Sequence, residues 1–194
     1  MVHSDVGYVA APGLAGRLRE NVTLHDKKYA EMHPLESDDW CVTPLTAFKK
    51  HIRYQIMEYE HLIDSSNISI QDQVKIATTV YDNYKDYDGF VVIHGTDTMA
   101  YTASILSFML ENLNKSVVLT GSQIPISELR NDAVDNFLGA LLVAGPYLIP
   151  EVCLFFGNKL YRGNRATKED SMIIEAFNSP NMAPLAKFGV NFNV

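Results

Sequence analysis

The stretch G-F-V-V-I-H-G-T-D-T-M, residues 89–99, decides the fold class. Its apolar β-forming residues predict a buried strand, and the small polar residues 94–98 follow just before a segment with helical periodicity. In a parallel α/β sheet, ligands bind beside the carboxyl ends of strands and against the amino ends of helices. Thr96, Asp97 and Thr98 are therefore expected at a ligand site. One of them is also expected to cap the helix, since Thr and Asp are preferred caps.

Strand and helix patterns alternate along the rest of the chain. Strand patterns occupy 51–59, 89–93, 116–120 and 151–156, and helix patterns occupy 12–22, 69–84, 98–112 and 130–144. The remaining segments are expected to be irregular at 23–48, loop-rich at 157–171 and extended or briefly helical at 176–186. This alternation predicts one α/β domain over residues 1–194, with a parallel, flavodoxin/Rossmann-like sheet and helices on both faces.

Two of the helix patterns also predict which side chains pack inward. Ser69, with Asp72 three residues later, resembles a capping box. The expected packed face of the helix that follows comprises Val74, Ala77, Val80, Tyr81 and Tyr84. In the helix over 98–112, the expected packed face comprises Met99, Ala103, Leu106, Met109 and Leu113.

The carboxyl ends of parallel strands meet at one edge, so four polar loops are expected to face a common crevice. These loops lie at 64–67, 94–98, 120–123 and 165–168. The sequence contains neither G-x-G-x-x-G nor a P-loop, and no carboxylate or histidine cluster with metal-ligand spacing. We therefore expect no organic cofactor and no metal, and we interpret His94 as a packed or capping histidine.

Charge and cysteine usage narrow the functional class. The net charge of −7 disfavours a nucleic-acid-binding protein and a basic membrane-surface protein. Cys41 and Cys153 stand far apart without a metal-binding partner motif, as expected for two thiols in a reducing compartment. No apolar run approaches membrane-spanning length or resembles a signal core. The expected location is the cytoplasm.

Threonine, aspartate, serine and lysine at one crevice would suit a small zwitterionic ligand. A threonine hydroxyl is a poor nucleophile until a neighbouring base takes its proton, and a desolvated lysine can act as that base. Asp97 can accept an ammonium group, while Ser65 or backbone N–H groups can hold a carboxylate. Acyl transfer is one chemistry that such a site supports. Taken alone, Lys168 would be interpreted as a solvated surface lysine.

Several motifs, in order along the chain, resemble the bacterial-type L-asparaginase family and especially its cytoplasmic type I branch. They are L-I-D-S-S-N (62–67), the stretch 89–99 with its continuation to 113, T-G-S-Q-I-P (120–125), N-D-A-V-D-N (131–136), L-Y-R-G-N-R-A-T-K (160–168) and F-N-S-P-N (177–181). The resemblance covers nearly the whole chain. It implies the larger, N-terminal domain of the asparaginase fold.

The resemblance also implies roles for individual residues. Thr96 would be the second catalytic threonine, which positions and activates the attacking hydroxyl, and Lys168 would be its proton partner. Asp97 would hold the α-ammonium group of the substrate and support Thr96. Tyr8 matches the position of the family's flexible N-terminal lid.

The implied reaction is hydrolysis of L-asparagine to L-aspartate and ammonia through an acyl-threonine, without a cofactor. Asp64, Ser65 and Ser66 would bind the α-carboxylate and amino end of the substrate. The full-length protein is expected to be a homo-oligomer.

The chain also departs from the family pattern. The motif T-G-G-T-I-G, which carries the family's acylated threonine, is not among the 194 residues, and neither is the smaller C-terminal domain. This chain alone is therefore expected to be catalytically incomplete and to expose a gap beside its sheet. The alternative hypothesis is a non-catalytic relic that binds an amino acid or acts through oligomerisation.

Overall fold

The structure is a computed structural model that describes residues 2–5, 7–9, 11–34, 37, 39–189 and 192–193. Its contacts divide the chain into two compact units, residues 1–62 and 63–194. The expectation of one domain over 1–194 stays a prediction.

The first unit contains two short helices and two antiparallel hairpins. The hairpin strands are β1 (Val2–Ser4), β2 (Gly7–Val9), β3 (Trp40–Val42) and β4 (Arg53–Gln55), and the helices are α1 (Leu14–Glu20) and α2 (Lys27–Met32). Its apolar interior includes Leu18, Leu24, Cys41, Val42 and Tyr54. The Tyr54 hydroxyl donates a hydrogen bond to the Leu24 carbonyl oxygen at 2.9 Å.

The strand predicted at 51–59 is shorter than expected and does not join a parallel sheet. Only Arg53–Gln55 is a strand, and it pairs antiparallel with Trp40–Val42, a segment that we expected to be irregular. The alternation that suggested the strand is nevertheless present, since Tyr54 is buried between two exposed neighbours. Alternation of apolar and polar residues indicates a half-buried strand, but it does not identify the strand with which it pairs.

The second unit is built on a six-stranded mixed sheet. Its strands, in spatial order, are β12 (Phe192–Asn193), β11 (Ala186–Phe188), β8 (Lys159–Arg162), β7 (Val152–Phe156), β6 (Ser116–Thr120) and β5 (Gly89–Ile93). The helices are α3 (Ile70–Asp82), α4 (Met99–Met109) and α5 (Ala133–Ala144). A separate two-stranded ladder pairs β9 (Thr167–Lys168) with β10 (Phe177–Asn178).

The parallel part of the sheet is β5–β6–β7, as the strand–helix alternation predicted. The α/β class is confirmed, but β8, β11 and β12 pair antiparallel. The change of direction occurs at Gly157 and Asn158, which have φ angles of 55° and 61°. Two consecutive residues with positive φ form the tight turn that joins antiparallel neighbours.

The core lies around β6 and β7, whose residues are all buried. One cluster joins the sheet to α5 and comprises Val118, Ala140, Val143, Ala144, Cys153, Phe155, Leu160 and Ala186. Because successive strand residues point to opposite faces, Val117, Leu119 and Leu154 pack on the other side, where α4 contacts β6 and β7. The predicted covering of both faces is therefore present.

The two predicted helix faces are correct only in part. The capping box of α3 is present, with Ser69 Oγ accepting from the Asp72 N–H at 3.2 Å and Asp72 accepting from the Ser69 N–H at 2.8 Å. Its buried residues, however, are Gln73, Ile76 and Val80, whereas Val74 and Tyr81 are 46% and 75% exposed. Helix α3 contacts α4, and Gln73 on its buried face donates to Thr102 Oγ1 of α4 at 3.4 Å.

The buried face of α4 agrees with the prediction over its first two turns, at Met99, Ala103 and Leu106. Met109 lies at its end and is 40% exposed. Among the described residues, no helix combines the length and apolar character needed to span a bilayer.

Candidate active site

The site begins where β5 ends and the chain turns into α4. Thr98 occupies the position before the first residue of α4, but its hydroxyl does not cap the helix. Thr98 Oγ1 instead donates to the Ser65 carbonyl oxygen at 2.7 Å. Thr98 therefore ties the loop after β5 to the 3-10 turn at Ser65–Asn67, which leaves Thr96 and Asp97 for other contacts.

A glycine at position 95 is required by close packing against the same turn. A Cβ atom on Gly95 would lie 2.5 Å from Ser65 Oγ and 2.7 Å from Ser65 Cβ. Ser65 is 5% exposed. The two loops predicted to share the crevice are thus packed against each other.

Lys168 connects the two side chains that follow Gly95. Its Nζ atom lies 2.9 Å from Thr96 Oγ1 and 2.8 Å from Asp97 Oδ1. This geometry confirms the expected approach of the lysine to the threonine across 72 positions of sequence. The Lys168 side chain is 17% exposed, while that of Asp97 is 62% exposed. The lysine of this ion pair is therefore shielded from solvent, whereas the aspartate is accessible.

The ladder and turn around Lys168 fix its backbone. Lys168 pairs with Phe177 in the β9–β10 ladder. The chain enters this ladder through a 3-10 turn at Gly163–Arg165. A Cβ atom on Gly163 would meet the carbonyl oxygens of Val152 and Ala103 at 2.7 and 3.0 Å, so this backbone lies directly against β7 and α4.

The predicted carboxylate-binding residues form their own turn. Asp64 Oδ1 accepts from both the N–H and the hydroxyl of Ser66, each at 3.0 Å. Ser65 is buried behind them and joins the loop of Thr96 through the contacts of Thr98 and Gly95. The backbone of Tyr8 lies in β2, but its side chain lies outside the described part of the structure.

Gln123 belongs to the site, although the sequence prediction assigned it no role. Thr96 Oγ1 donates to Gln123 Oε1 at 3.0 Å and accepts from Lys168 Nζ at 2.9 Å. Gln123 lies in the loop that follows β6. Its position in T-G-S-Q, directly after a buried parallel strand, was the available signal.

A buried carboxylate and a buried amide hold this loop in place. Asp132, which is 6% exposed, accepts from the N–H groups of Gln123 and Ile124 at 3.0 and 2.9 Å. Asn136 Nδ2 donates to Asp132 and to the Gly121 carbonyl oxygen, each at 3.0 Å. The N-D-A-V-D-N motif thus contributes to the site by holding the loop that carries Gln123 in place.

His94 is packed, as expected, and its ring is bonded locally. Nδ1 donates to the Gly95 carbonyl oxygen at 2.7 Å, and the Nε2 atom is buried. Burial lowers the pKa of His94, and the hydrogen bond to Gly95 opposes that shift only partly. In the part of the chain that the structure describes, no group of three or more His, Cys, Asp or Glu side chains is placed to hold a metal ion.

Comparisons with known proteins point to one family. The family model "Asparaginase, N-terminal" matches residues 17–194. L-asparaginase 1 of Escherichia coli K12 is 47% identical over 191 residues, which cover 98% of this chain and 50% of that protein. The 60 kDa lysophospholipase of Mus musculus is 52% identical over 186 residues, covering 96% of this chain and 33% of that protein.

A solved structure gives the same result at the level of the fold. L-asparaginase I from Vibrio cholerae O1 biovar eltor superimposes with a TM-score of 0.70 at 54% identity, covering 72% of this chain and 42% of that one. The chain spans between a third and a half of the length of the curated relatives described above. With a family match over residues 17–194 and this degree of identity, the chain belongs to the asparaginase family.

Proposed function

We propose that the protein hydrolyses L-asparagine to L-aspartate and ammonia through an acyl-threonine intermediate. The observation that carries the proposal is the contact of one shielded ammonium group, that of Lys168, with both the Thr96 hydroxyl and the Asp97 carboxylate. A hydroxyl held by a lysine is suited to pass a proton to or from a reacting oxygen.

In this proposal Thr96 positions and activates the attacking hydroxyl, and Lys168 exchanges the proton with it. The acylated threonine of the family belongs to the T-G-G-T-I-G motif, which is not among the 194 residues. Thr96 and Lys168 are therefore the activating half of the site. In this proposal Thr96 and Lys168 activate the threonine of the T-G-G-T-I-G motif.

The substrate's charged ends supply the binding energy in the same proposal. Asp97 holds the α-ammonium group, for which its 62% exposed side chain leaves room beside Lys168. Asp64, Ser65 and Ser66 bind the α-carboxylate and amino end, and the family resemblance alone assigns Tyr8 to a lid. These assignments follow from the family resemblance and from the packing of Ser65 against Gly95.

A second candidate substrate is a lysophospholipid. A protein with 52% identity over nearly the whole chain carries the name 60 kDa lysophospholipase. Hydrolysis of an ester and of an amide both proceed by acyl transfer, so an activated hydroxyl serves either reaction. The other alternative is a non-catalytic protein that binds an amino acid at Asp97 or acts through oligomerisation.

The proposal also includes a setting for the protein. A cytoplasmic location is supported by the two free and buried cysteines, Cys41 and Cys153, which suit a reducing compartment. A homo-oligomer is proposed for the full-length protein on the family resemblance alone.

The decisive test is ammonia release from L-asparagine, with two variants of the site. In the full-length protein, Thr96→Ala and Lys168→Met are expected to lower kcat by roughly a thousandfold or more while changing the Kd for L-aspartate by only a few-fold, since both groups act in the transition state. Lys159→Met is the matched control, because it removes another lysine–carboxylate pair, to Glu175 at 2.8 Å, without touching Thr96.

The 194 residues are assayed alone and with a T-G-G-T-I-G segment added before Met1. We expect negligible turnover from the first and rescue by the second. Turnover by the 194 residues alone that depends on Thr96 would make Thr96 the nucleophile. Binding of aspartate with no turnover in either form would favour the relic, and cleavage of a lysophospholipid without ammonia release would favour the second substrate.

A further inference from the structure

The Gln123 side chain connects Thr96 to a segment that carries no predicted site residue. Gln123 Oε1 accepts from the Thr96 hydroxyl at 3.0 Å. Its Nε2 donates to the carbonyl oxygens of Ser171 and Ile173, at 3.0 and 3.3 Å. The amide therefore spans from the Thr96 hydroxyl to the chain just beyond Lys168.

These three contacts fix the orientation of the amide group. Carbonyl oxygens accept hydrogen bonds but cannot donate, so Nε2 faces Ser171 and Ile173, and Oε1 faces Thr96. Because Oε1 is an acceptor, the Thr96 hydroxyl donates to it. The oxygen of Thr96 is then free to accept from the Lys168 ammonium group, at 2.9 Å.

The backbone of Gln123 is equally well fixed. Its N–H donates to Asp132 Oδ2 at 3.0 Å, and Asp132 is buried at the start of α5. The segment that receives Nε2 is itself closed, since the N–H of Glu169 donates to the Ala176 carbonyl oxygen at 2.9 Å. The Gln123 amide thus links the loop of Thr96 to the segment that contains Ser171 and Ile173.

We propose that Gln123 is a positioning residue that directs the Thr96 proton and holds the segment Glu169–Ala176 against the site. The inference rests on the proposed function for its effect on catalysis, but not for its effect on this segment. With Gln123 in place, Thr96 presents its oxygen to Lys168 and its proton to the amide. Without it, the hydroxyl rotates freely and the segment loses its attachment.

The test compares Gln123→Met, Gln123→Glu and the control Gln73→Met, each made in the full-length protein. Gln73 is buried and donates to Thr102 Oγ1 at 3.4 Å, so the control removes another glutamine–threonine contact away from Thr96. Gln123→Met is expected to lower kcat for asparagine by about tenfold, the order expected for one hydrogen bond, and to change KM less than about twofold. Gln73→Met is expected to leave both constants unchanged.

Gln123→Glu keeps the size of the side chain and so guards against a folding defect in the methionine variant. Its carboxylate still accepts from Thr96, but it adds a negative charge beside the site. A negative charge raises the pKa of a neighbouring base. The acidic limb of the pH profile of kcat/KM is therefore expected to shift to higher pH. Because the added charge moves that limb whatever the role of Gln123, the readout that a merely structural role would not produce is the fall of kcat at nearly constant KM in Gln123→Met.

Amide hydrogen exchange of residues 169–176 distinguishes the proposal about Gln123 from the proposed function. Amides of residues 169–176 are expected to exchange faster in both Gln123 variants than in the wild type and in Gln73→Met. Faster exchange in a full-length protein that never releases ammonia would support the positioning of the segment and overturn the proposed function. Unchanged exchange, or an unchanged kcat of Gln123→Met in an active full-length protein, would overturn the inference about Gln123.

Discussion

Individual side chains at this site are held by partners that are remote in sequence. Thr96 contacts Lys168 across 72 positions and Gln123 across 27. The first partner was predictable, because the R-A-T-K and H-G-T-D-T motifs both match the family. The second was not, because a glutamine in a polar loop has no distinctive spacing and its amide acts through a hydrogen bond that only the folded loops create.

His94 gives a prediction about stability and pH. Burial lowers its pKa from the ordinary value of 6.5, so below that value the unfolded chain binds a proton more readily than the folded protein. The stabilisation is complete above the unfolded pKa and is lost as the pH falls toward the folded pKa. Urea unfolding at about pH 7.5 and about pH 5.5 should therefore show a smaller decline in His94→Asn than in the wild type.

Asparagine is suitable at position 94 because its amide N–H can replace the Nδ1 donor to the Gly95 carbonyl oxygen. The control is His61→Gln, at an exposed position, which should retain the wild-type decline. An equal decline in His94→Asn and the wild type would show that the pH dependence arises elsewhere.

Elements with a long periodic pattern were predictable, and short ones were not. The strands at 89–93 and 116–120 have the predicted bounds, and α5 begins three residues later than predicted. The two-residue strand Thr167–Lys168 was missed because such a segment has no period to detect. The Gly157–Asn158 turn could have been recognised, since Gly and Asn between two apolar runs are typical of a hairpin.

At the level of a helix, the same substitution is expected to have opposite effects at two glycines. A Cβ atom on Gly139 of α5 would lie 2.2 Å from Phe155 Cε1 and Cζ, and the Phe155 ring is buried. Gly139→Ala should lower the free energy of unfolding by about 1–3 kcal/mol through overpacking. A Cβ atom on Gly16 of α1 would meet no atom of another segment within 4 Å, so Gly16→Ala should raise stability by up to about 1 kcal/mol.

Urea unfolding followed by far-UV circular dichroism measures both effects. The pair controls for helix propensity, because the intrinsic gain from glycine to alanine applies to both helices. A neutral or stabilising Gly139→Ala would mean that Phe155 can move aside at little cost.

The chain divides into two compact units, and the expectation that residues 1–194 form one domain stays a prediction. Composition and length could not reveal this division, because 194 residues suit either arrangement. The first unit was also the hardest part to predict, since its strands are three residues long. Its pairing, unlike that of the β5–β6–β7 core, depends on hairpins without a strong turn motif.

A single tryptophan makes the one-domain expectation testable. Trp40 is the only tryptophan of the sequence and lies in the first unit, whereas α3, α4 and α5 lie in the second. If residues 1–194 fold as one domain, Trp40 fluorescence and the helical circular dichroism signal should report the same urea midpoint. Two separated midpoints would instead define two domains that unfold independently.

The close contact of Gly163 with β7 and α4 has a consequence for how this protein tolerates change. Since the chain reaches Lys168 from that contact, a bulkier residue at 163 would shift the ammonium group without altering any of its partners. A displacement of about 1 Å is enough to cost on the order of a hundredfold in rate. The effect of a mutation near Lys168 is therefore expected to depend on how far it displaces the backbone that carries the lysine, and not on its distance from the substrate. Gly163 thus limits the substitutions that the protein tolerates as strictly as Lys168 does.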